Sequence, residues 1–339
     1  MIVDDLVKRP GCWLLPADGD RSIVSSRVRL ARNVRGFVFP GRADAKRNAE
    51  IWALITGALA QIPATRDALV LMMSELSEVE KDILKERQLI SRELAEKGPG
   101  SGVVVAQGEQ IAVMINEEDH LRMQALSPGL NLEALWQKMD DLDSELERRV
   151  EYAFSIRLGY LTACPSNAGT ALRASVMMHL PGLRLMGEIE AVVRGLERIG
   201  LAVRGLQGEG SEAVGDLYQI SNQPTLGRSE SAVIGHLLDV VQELAEHEEH
   251  ARQRVAEQRS AHLLDEVGRS HGVLTNAHVL SSREAVDLLS SLRLGVEFRL
   301  VQNLTVQQIH EIVLLTQPGH LQRLVDREME GDERDEARA

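Results

Sequence analysis

The chain has 339 residues, with 38 Lys and Arg against 51 Asp and Glu and a formal net charge of −13. That sign works against nonspecific binding to nucleic acid or to an anionic membrane, and 3% aromatic residues leave little for base stacking. Cys12 and Cys164 are too few and too far apart for a disulfide framework or zinc spacing, and no stretch reaches the apolar length of a membrane span. The expected compartment is the reducing cytoplasm, and the length suggests one large domain followed by a smaller one.

Residues 1–20 read as an irregular lead-in anchored by Trp13 and Leu14. From Ser22 to Ala31 the chain alternates as a strand does. Val24, Ser26, Val28 and Leu30 fall on one face, and Ser25, Arg27, Arg29 and Ala31 on the other. Two arginines at that spacing either lie on a solvated face or are bridged by an anion. Residues 43–62 have helical periodicity, as do 74–96, which open on capping patterns at Ser74 and Ser77. Residues 103–106 and 111–115 form a hairpin that runs into Asn116-Glu117-Glu118-Asp119-His120-Leu121-Arg122. Three carboxylates in a row raise at least one pKa or need a positive partner.

A helix is expected over 131–156. The segment Cys164–Pro181 then carries a small-residue loop, 164–170, and a strand in which Leu172, Ala174, Val176, Met178 and Leu180 alternate with Arg173, Ser175, Met177 and His179. Another helix, 185–199, closes at Gly200. Residues 203–212 are glycine-rich and form either a loop that closes over a ligand or an exposed hairpin loop; no P-loop pattern occurs in the chain. A short strand follows at 217–222. A long helix then opens near 226–230 and runs into a charged stretch, 246–258, where His247 and His250 have no third clustered ligand. From about 257 onward everything reads helical, with capping boxes at Ser281–Glu284 and Thr305–Gln308.

The blocks SSRVRLARN (25–33), NEEDHLR (116–122), CPSNAGTALRASV (164–176), RGLQGEGSE (204–212) and ISNQPTLGRSE (220–230) resemble, in order, the ATP:guanidino phosphotransferase family of creatine and arginine kinases. Within it the chain is most similar to bacterial protein-arginine kinases of the McsB type. The helical domain that precedes the catalytic core in phosphagen kinases is missing. A helical segment follows the core, and the terminal RDEARA (334–339) matches a phosphoarginine-sensing motif.

The resemblance implies an α+β fold. Residues 1–256 form a phosphagen-kinase-like catalytic domain, an antiparallel sheet flanked by helices, and 257–339 form a smaller all-helical C-terminal regulatory or dimerisation domain. It implies ATP contacts at Ser25, Ser26, Arg27, Val28, Arg29, Gln88, Arg122, Arg173, Ala174, Ser175, Val176, Met177, Arg204, Gly205, Leu206, Gln207, Gly208 and Glu209. Mg²⁺ is held mainly by phosphates and water, with no protein metal ligand. Glu118 and Glu209 flank the substrate guanidinium with Cys164 close by, and Arg334 and Asp335 sense phosphoarginine. Gln88 stands where the family usually places a histidine against the adenosine part of ATP.

The implied activity is transfer of the ATP γ-phosphoryl group to arginine side chains of proteins, with stress regulation and hand-off to a Clp-type ATPase and protease. An activator protein and self-association into a homodimer or higher oligomer are also implied. The alternatives are a kinase for free arginine or another small guanidino compound, and a catalytically silent phosphoarginine-binding adaptor.

Overall fold

The computed structural model describes residues 3–17, 19–205, 213–223 and 225–339. Its frame is an eight-stranded sheet made of β1 (Ile23–Arg32), β2 (Leu69–Met72), β3 (Gly102–Ala106), β4 (Ile111–Ile115), β5 (Leu121–Pro128), β8 (Leu172–His179), β9 (Leu201–Gly205) and β10 (Leu217–Asn222). The short pair β6 (Phe154–Ser155) and β7 (Gly159–Tyr160) forms a separate hairpin. The spatial order is β2-β3-β4-β5-β1-β8-β10-β9, and every pairing is antiparallel. The α+β architecture expected from the sequence is therefore present, with β1 at its centre.

The helices are α1 (Asp4–Val7), α2 (Ala45–Leu59), α3 (Glu78–Glu86), α4 (Arg92–Ala95), α5 (Leu132–Glu147), α6 (Pro181–Met186), α7 (Ile189–Arg198) and α8 (Glu230–Gln258). After α8 come α9 (Ser260–Asn276), α10 (Ser282–Glu297), α11 (Val306–Leu315), α12 (Pro318–Val325) and α13 (Asp332–Arg338). Among the described residues no helix is long and apolar enough to cross a membrane.

The period-two pattern gives the sheet two unlike faces. Val28 and Leu30 of β1, Met123 and Ala125 of β5, and Leu172, Ala174 and Val176 of β8 pack into the main core. The apolar stripes of α2, α5 and α8 (Ile51 and Ile55; Leu135 and Met139; Leu237 and Val241, among others) cover them. Among the described residues the opposite face is apolar at two flanks. One lies under α3 and α4, where Val103, Val105 and Met114 meet Leu84, Leu89 and Leu94. The other lies under the lead-in turn, where Trp13 and Leu14 meet Val24, Leu126, Met177 and Leu314. The strip between the flanks is polar.

Several elements differ from the sequence reading. The register of β1 against β8 slips between Ile23 and Ser25, a bulge that turns Val24 away from Val28 and Leu30 and into the second flank. The single helix expected over 74–96 is two. Ser77 caps α3 with a full capping box to Glu80, and Gln88 then takes the left-handed conformation (φ 60°) and stops it. Ser91 caps α4. The helix expected over 131–156 ends at Glu147 and gives way to the β6–β7 hairpin. The 185–199 helix is likewise divided, because Gly187 closes α6 at φ 76°. Strands β2, β5 and β9 were not anticipated.

One buried ion pair locks the sheet to α5. Arg32 donates from Nε and Nη2 to Asp143 Oδ2 at 3.1 and 2.6 Å, and from Nη1 to the carbonyls of Ala31 and Thr170. Its guanidinium lies 3.4 Å from the Tyr160 ring centroid. Removing one partner of such a pair strands the other charge. Asp143→Ala is therefore expected to lower the unfolding free energy by about 3–5 kcal/mol. Urea titration checks this, and a midpoint unchanged from the parent would show that Arg32 finds another acceptor.

Candidate active site

The polar strip is built by strand register. Arg29 of β1 is directly opposite Arg173 of β8 and Gln124 of β5, Ala31 is opposite Arg122, and Arg27 is opposite Ser175. Directly paired residues share a face, so Arg27, Arg29, Arg122 and Arg173 crowd onto one patch of three neighbouring strands. On the far side Ser221 of β10 is opposite Ser175, and Gln219 is opposite both Met177 and Arg204 of β9. The five arginines singled out from the sequence thus line one face of the sheet.

Among the described residues, Arg27 and Arg29 are only partly balanced. Burial first, then the charges of Arg122 and Arg173, push Arg27 down to about 9. Burial and the other three arginines push Arg29 well below its ordinary value. Guanidinium groups remain protonated at neutral pH, so the cost is carried as strain rather than relieved by proton loss. Nε of both Arg27 and Arg29 is buried with no hydrogen-bond partner among the described residues. Among the described residues Arg27 makes one long hydrogen bond, Nη1 to Gln88 Oε1 at 3.4 Å. Arg173 donates from Nη2 to Ser221 Oγ at 3.3 Å. Arg27 and Arg29, side by side with buried Nε groups unpartnered among the described residues, suit a multiply charged anion.

Arg122 has a carboxylate partner. Its Nη1 donates to both carboxylate oxygens of Glu117, at 2.6 and 2.8 Å, and Ser91 Oγ donates to the same carboxylate. Burial alone would raise Glu117, but Arg122 and Ser91 outweigh it and hold the carboxyl below its ordinary value. Burial likewise opposes the charge on Arg122, and Glu117 more than offsets it.

The three acids of the β4–β5 turn have three different tasks. Glu117 is buried against Arg122. Glu118 is exposed, and partial desolvation, then Asp119 and Glu117, raise its pKa. Asp119 is buried and accepts hydrogen bonds from Asn33 Nδ2 at 2.5 Å and from the Ala163 amide at 2.6 Å. That last bond ties the acidic turn to the loop carrying Cys164, so Glu118 and Cys164 each sit one residue from it. Cys164 is half-buried, with its Sγ 2.8 Å from Ser166 Oγ. His120 fixes the other side of the turn: its Nδ1 accepts from the Val34 amide, and its Nε2 lies 3.0 Å from the Val38 carbonyl.

Not every residue named from the sequence presents its side chain to the strip. Val28, Ala174 and Val176 point into the main core. Ser26 is fully buried and joins β1 to the start of α5, donating to the Gly129 carbonyl and accepting from the Asn131 amide. Met177 belongs to the second apolar flank. Ser25 and Ser175 lie on the arginine face, and Ser175 accepts from Gln219 Nε2. Gly205 ends β9 beside Arg204; Leu206, Gln207, Gly208 and Glu209 lie outside the described residues. Arg334 and Asp335 sit in α13, away from the strip. Arg334 Nε donates to the Met329 carbonyl, and Asp335 accepts from the buried Arg338. The sequence reading missed Glu117, Asp119, Asn33 and Ser91, whose work is to hold the named residues.

Residues 50–251 match the model of the ATP:guanido phosphotransferase C-terminal catalytic domain, and residues 260–339 match that of the protein-arginine kinase McsB C-terminal domain. The protein-arginine kinase of Halothermothrix orenii is 42% identical over 341 residues, covering 100% of this chain and 97% of that protein. That of Geobacillus thermodenitrificans is 44% identical over 330 residues, covering 96% and 91%. Among solved structures, lombricine kinase superposes with a TM-score of 0.61 at 27% identity, covering 72% of this chain and 70% of that one. The duplicated taurocyamine kinase of Schistosoma mansoni with bound transition state analog components gives 0.61 at 28%, covering 73% and 38%. On its strip of convergent arginines and on these likenesses together, the chain belongs to the ATP:guanido phosphotransferase family, in its protein-arginine kinase branch.

Proposed function

We propose that this chain is a protein-arginine kinase that moves the γ-phosphoryl group of ATP onto arginine side chains of other proteins. The observation that carries the reading is the juxtaposition on one sheet face of four crowded arginines with an acidic turn laced to the Cys164 loop. Arg27, Arg29, Arg122, Arg173 and Arg204 would hold the polyphosphate and spread the charge of the transferring group. The strip offers mostly N–H donors and so fits an anion; Mg²⁺ would come held by the phosphates and water, supplying further positive charge to their oxygens.

A guanidinium has a pKa above about 12 and its nitrogens are poor nucleophiles while protonated. Glu118, together with Glu209 carried over from the resemblance, would orient the acceptor by paired hydrogen bonds. A guanidinium nitrogen attacks the γ-phosphorus in line, the bond to the ADP oxygen breaks as the P–N bond forms, and a carboxylate takes the nitrogen's proton. Cys164 would stand beside the acceptor without forming a covalent bond to it. With this activity come the partners the resemblance implies: an activator protein, a Clp-type ATPase and protease, and further copies of the chain. Arg334 and Asp335, in a helix packed near α11 and α12, would sense the product.

Incubation with Mg·ATP, an arginine-rich unfolded protein and, separately, free arginine tests the reading by mass spectrometry at neutral or basic pH. Phosphoarginine on the protein is expected; product from free arginine alone would make the chain a small-molecule kinase, and none from either would overturn the reading. Because Glu118 must be ionised to take a proton and its pKa is raised, kcat/KM is expected to fall on the acid side above the ordinary carboxylate range. Glu118→Gln should remove that limb and lower kcat/KM by about a hundredfold or more. Arg29→Met should raise the stability of the free chain by about 1–3 kcal/mol while abolishing the rise in melting temperature that Mg·ADP confers. A free chain no more stable than the parent would mean that Arg29 carries no strain.

A further inference from the structure

The wall beside Arg27 is finished by a residue far along the chain. Gln88, whose side-chain oxygen accepts from Arg27, is a non-glycine residue at φ 60°, a conformation that persists only where its surroundings enforce it. Its own carbonyl accepts from Gln124 Nε2 at 2.5 Å, and its amide donates to the Lys85 carbonyl at 2.9 Å. The two residues before it are held by α12. Glu86 accepts from the amides of Gly319 and His320, at 2.7 and 3.0 Å, and faces His320 Nδ1 at 2.6 Å. Arg87 is fully buried and bonds Glu109 through Nε and Nη2, the Arg9 carbonyl through Nη2, and His320 Nε2 through Nη1 at 3.3 Å.

An arginine can only donate, so Nε2 of His320 accepts and the ring proton sits on Nδ1, facing Glu86. The imidazole, itself fully buried, thus bonds both residues that precede Gln88. Gly319 lets α12 come this close, since a Cβ there would meet the Ile83 amide nitrogen at 2.8 Å.

We infer that His320 is a positioning residue for the nucleotide: from α12 it fixes Glu86 and Arg87, and through them the left-handed Gln88 that braces Arg27. The inference rests on the kinase reading, in which Arg27 and Gln88 face ATP. Without the imidazole, Arg87 keeps a buried donor with no acceptor, the end of α3 relaxes, and Gln88 is released from the conformation that brings it to Arg27. The helical C-terminal region is in this sense part of the nucleotide wall.

The test is a double-mutant cycle on the full chain, with Mg·ADP binding measured by titration calorimetry for the parent, His320→Phe, Gln88→Ala and the double variant, and thermal melting as the check on folding. His320→Phe is expected to weaken Mg·ADP by roughly fivefold or more, and to add nothing in the Gln88→Ala background, because the two act through one contact. In turnover, KM for ATP should rise by a larger factor than kcat falls. Parent-like affinity in His320→Phe, or losses that multiply in the double variant, overturns the inference. Should His320→Phe fail to fold, Glu86→Gln, which loosens the grip on His320 with little change in volume, takes its place in the cycle under the same criteria. Binding is read without turnover, so a chain that binds Mg·ADP but labels no arginine overturns the kinase reading and leaves this cycle to be decided on its own numbers. A parent chain that binds no Mg·ADP overturns both.

Discussion

Like charges held side by side across three strands are the constraint on which the rest of this molecule depends. Arg27, Arg29, Arg122 and Arg173 repel one another, and burial strengthens the repulsion by keeping water away. An isolated strand pair could not hold them. Here the reverse face of the same strands is the main hydrophobic core, so moving any of these side chains off the patch means tearing Val28, Leu30 or Val176 from theirs. Part of the cost is met locally by groups among the described residues. Glu117 neutralises Arg122, Gln88 accepts a hydrogen bond from Arg27, and Ser221 accepts one from Arg173. A polyphosphate that arrives with several oxygens relieves repulsion the fold has already borne. Preorganisation of this kind favours transition-state charge over ground-state stability.

The acidic turn shows how closely spaced residues of one chemical type are made different. Its backbone reverses at Asn116, at φ 58°, and the three carboxylates that follow leave in three directions. One is spent on an arginine, one faces outward, and one bonds the amide of Ala163. The raised pKa of Glu118 arises first from partial desolvation and then from the company of the other two, which are themselves committed elsewhere. Because Asp119 bridges to the Cys164 loop, the acid and the thiol are fixed to a common support even though 46 positions of sequence (164 minus 118) separate them.

Much of this was legible in the sequence, and for identifiable reasons. Period-two alternation gave β1 and β8 and placed Arg27, Arg29 and Arg173 on the polar face; the capping boxes at Ser77 and Thr305 are formed as read. Order among five motif blocks gave the family. What failed was what depends on tertiary contact. A bulge at Val24 has no local signature, and neither has the left-handed turn at Gln88 that splits one helix into two. Within Glu117-Glu118-Asp119 nothing in the sequence says which acid will meet an arginine. Arg32 and Arg87 look like any surface arginine until Asp143, Glu109 and His320 are brought to them from 111, 22 and 233 positions away.

That last separation bears on how the protein comes into being. Glu86 and His320 are 234 positions apart, so the contact between α3 and α12 closes a loop that contains six of the eight strands of the sheet, all but β1 and β2. Such distant contacts are slow to form and come late in folding. A growing chain can therefore complete β1, β5 and β8, and hence most of the arginine strip, well before its nucleotide wall is braced. During synthesis there is an interval in which the charged patch exists without its support, and it ends only when α12 has emerged and docked.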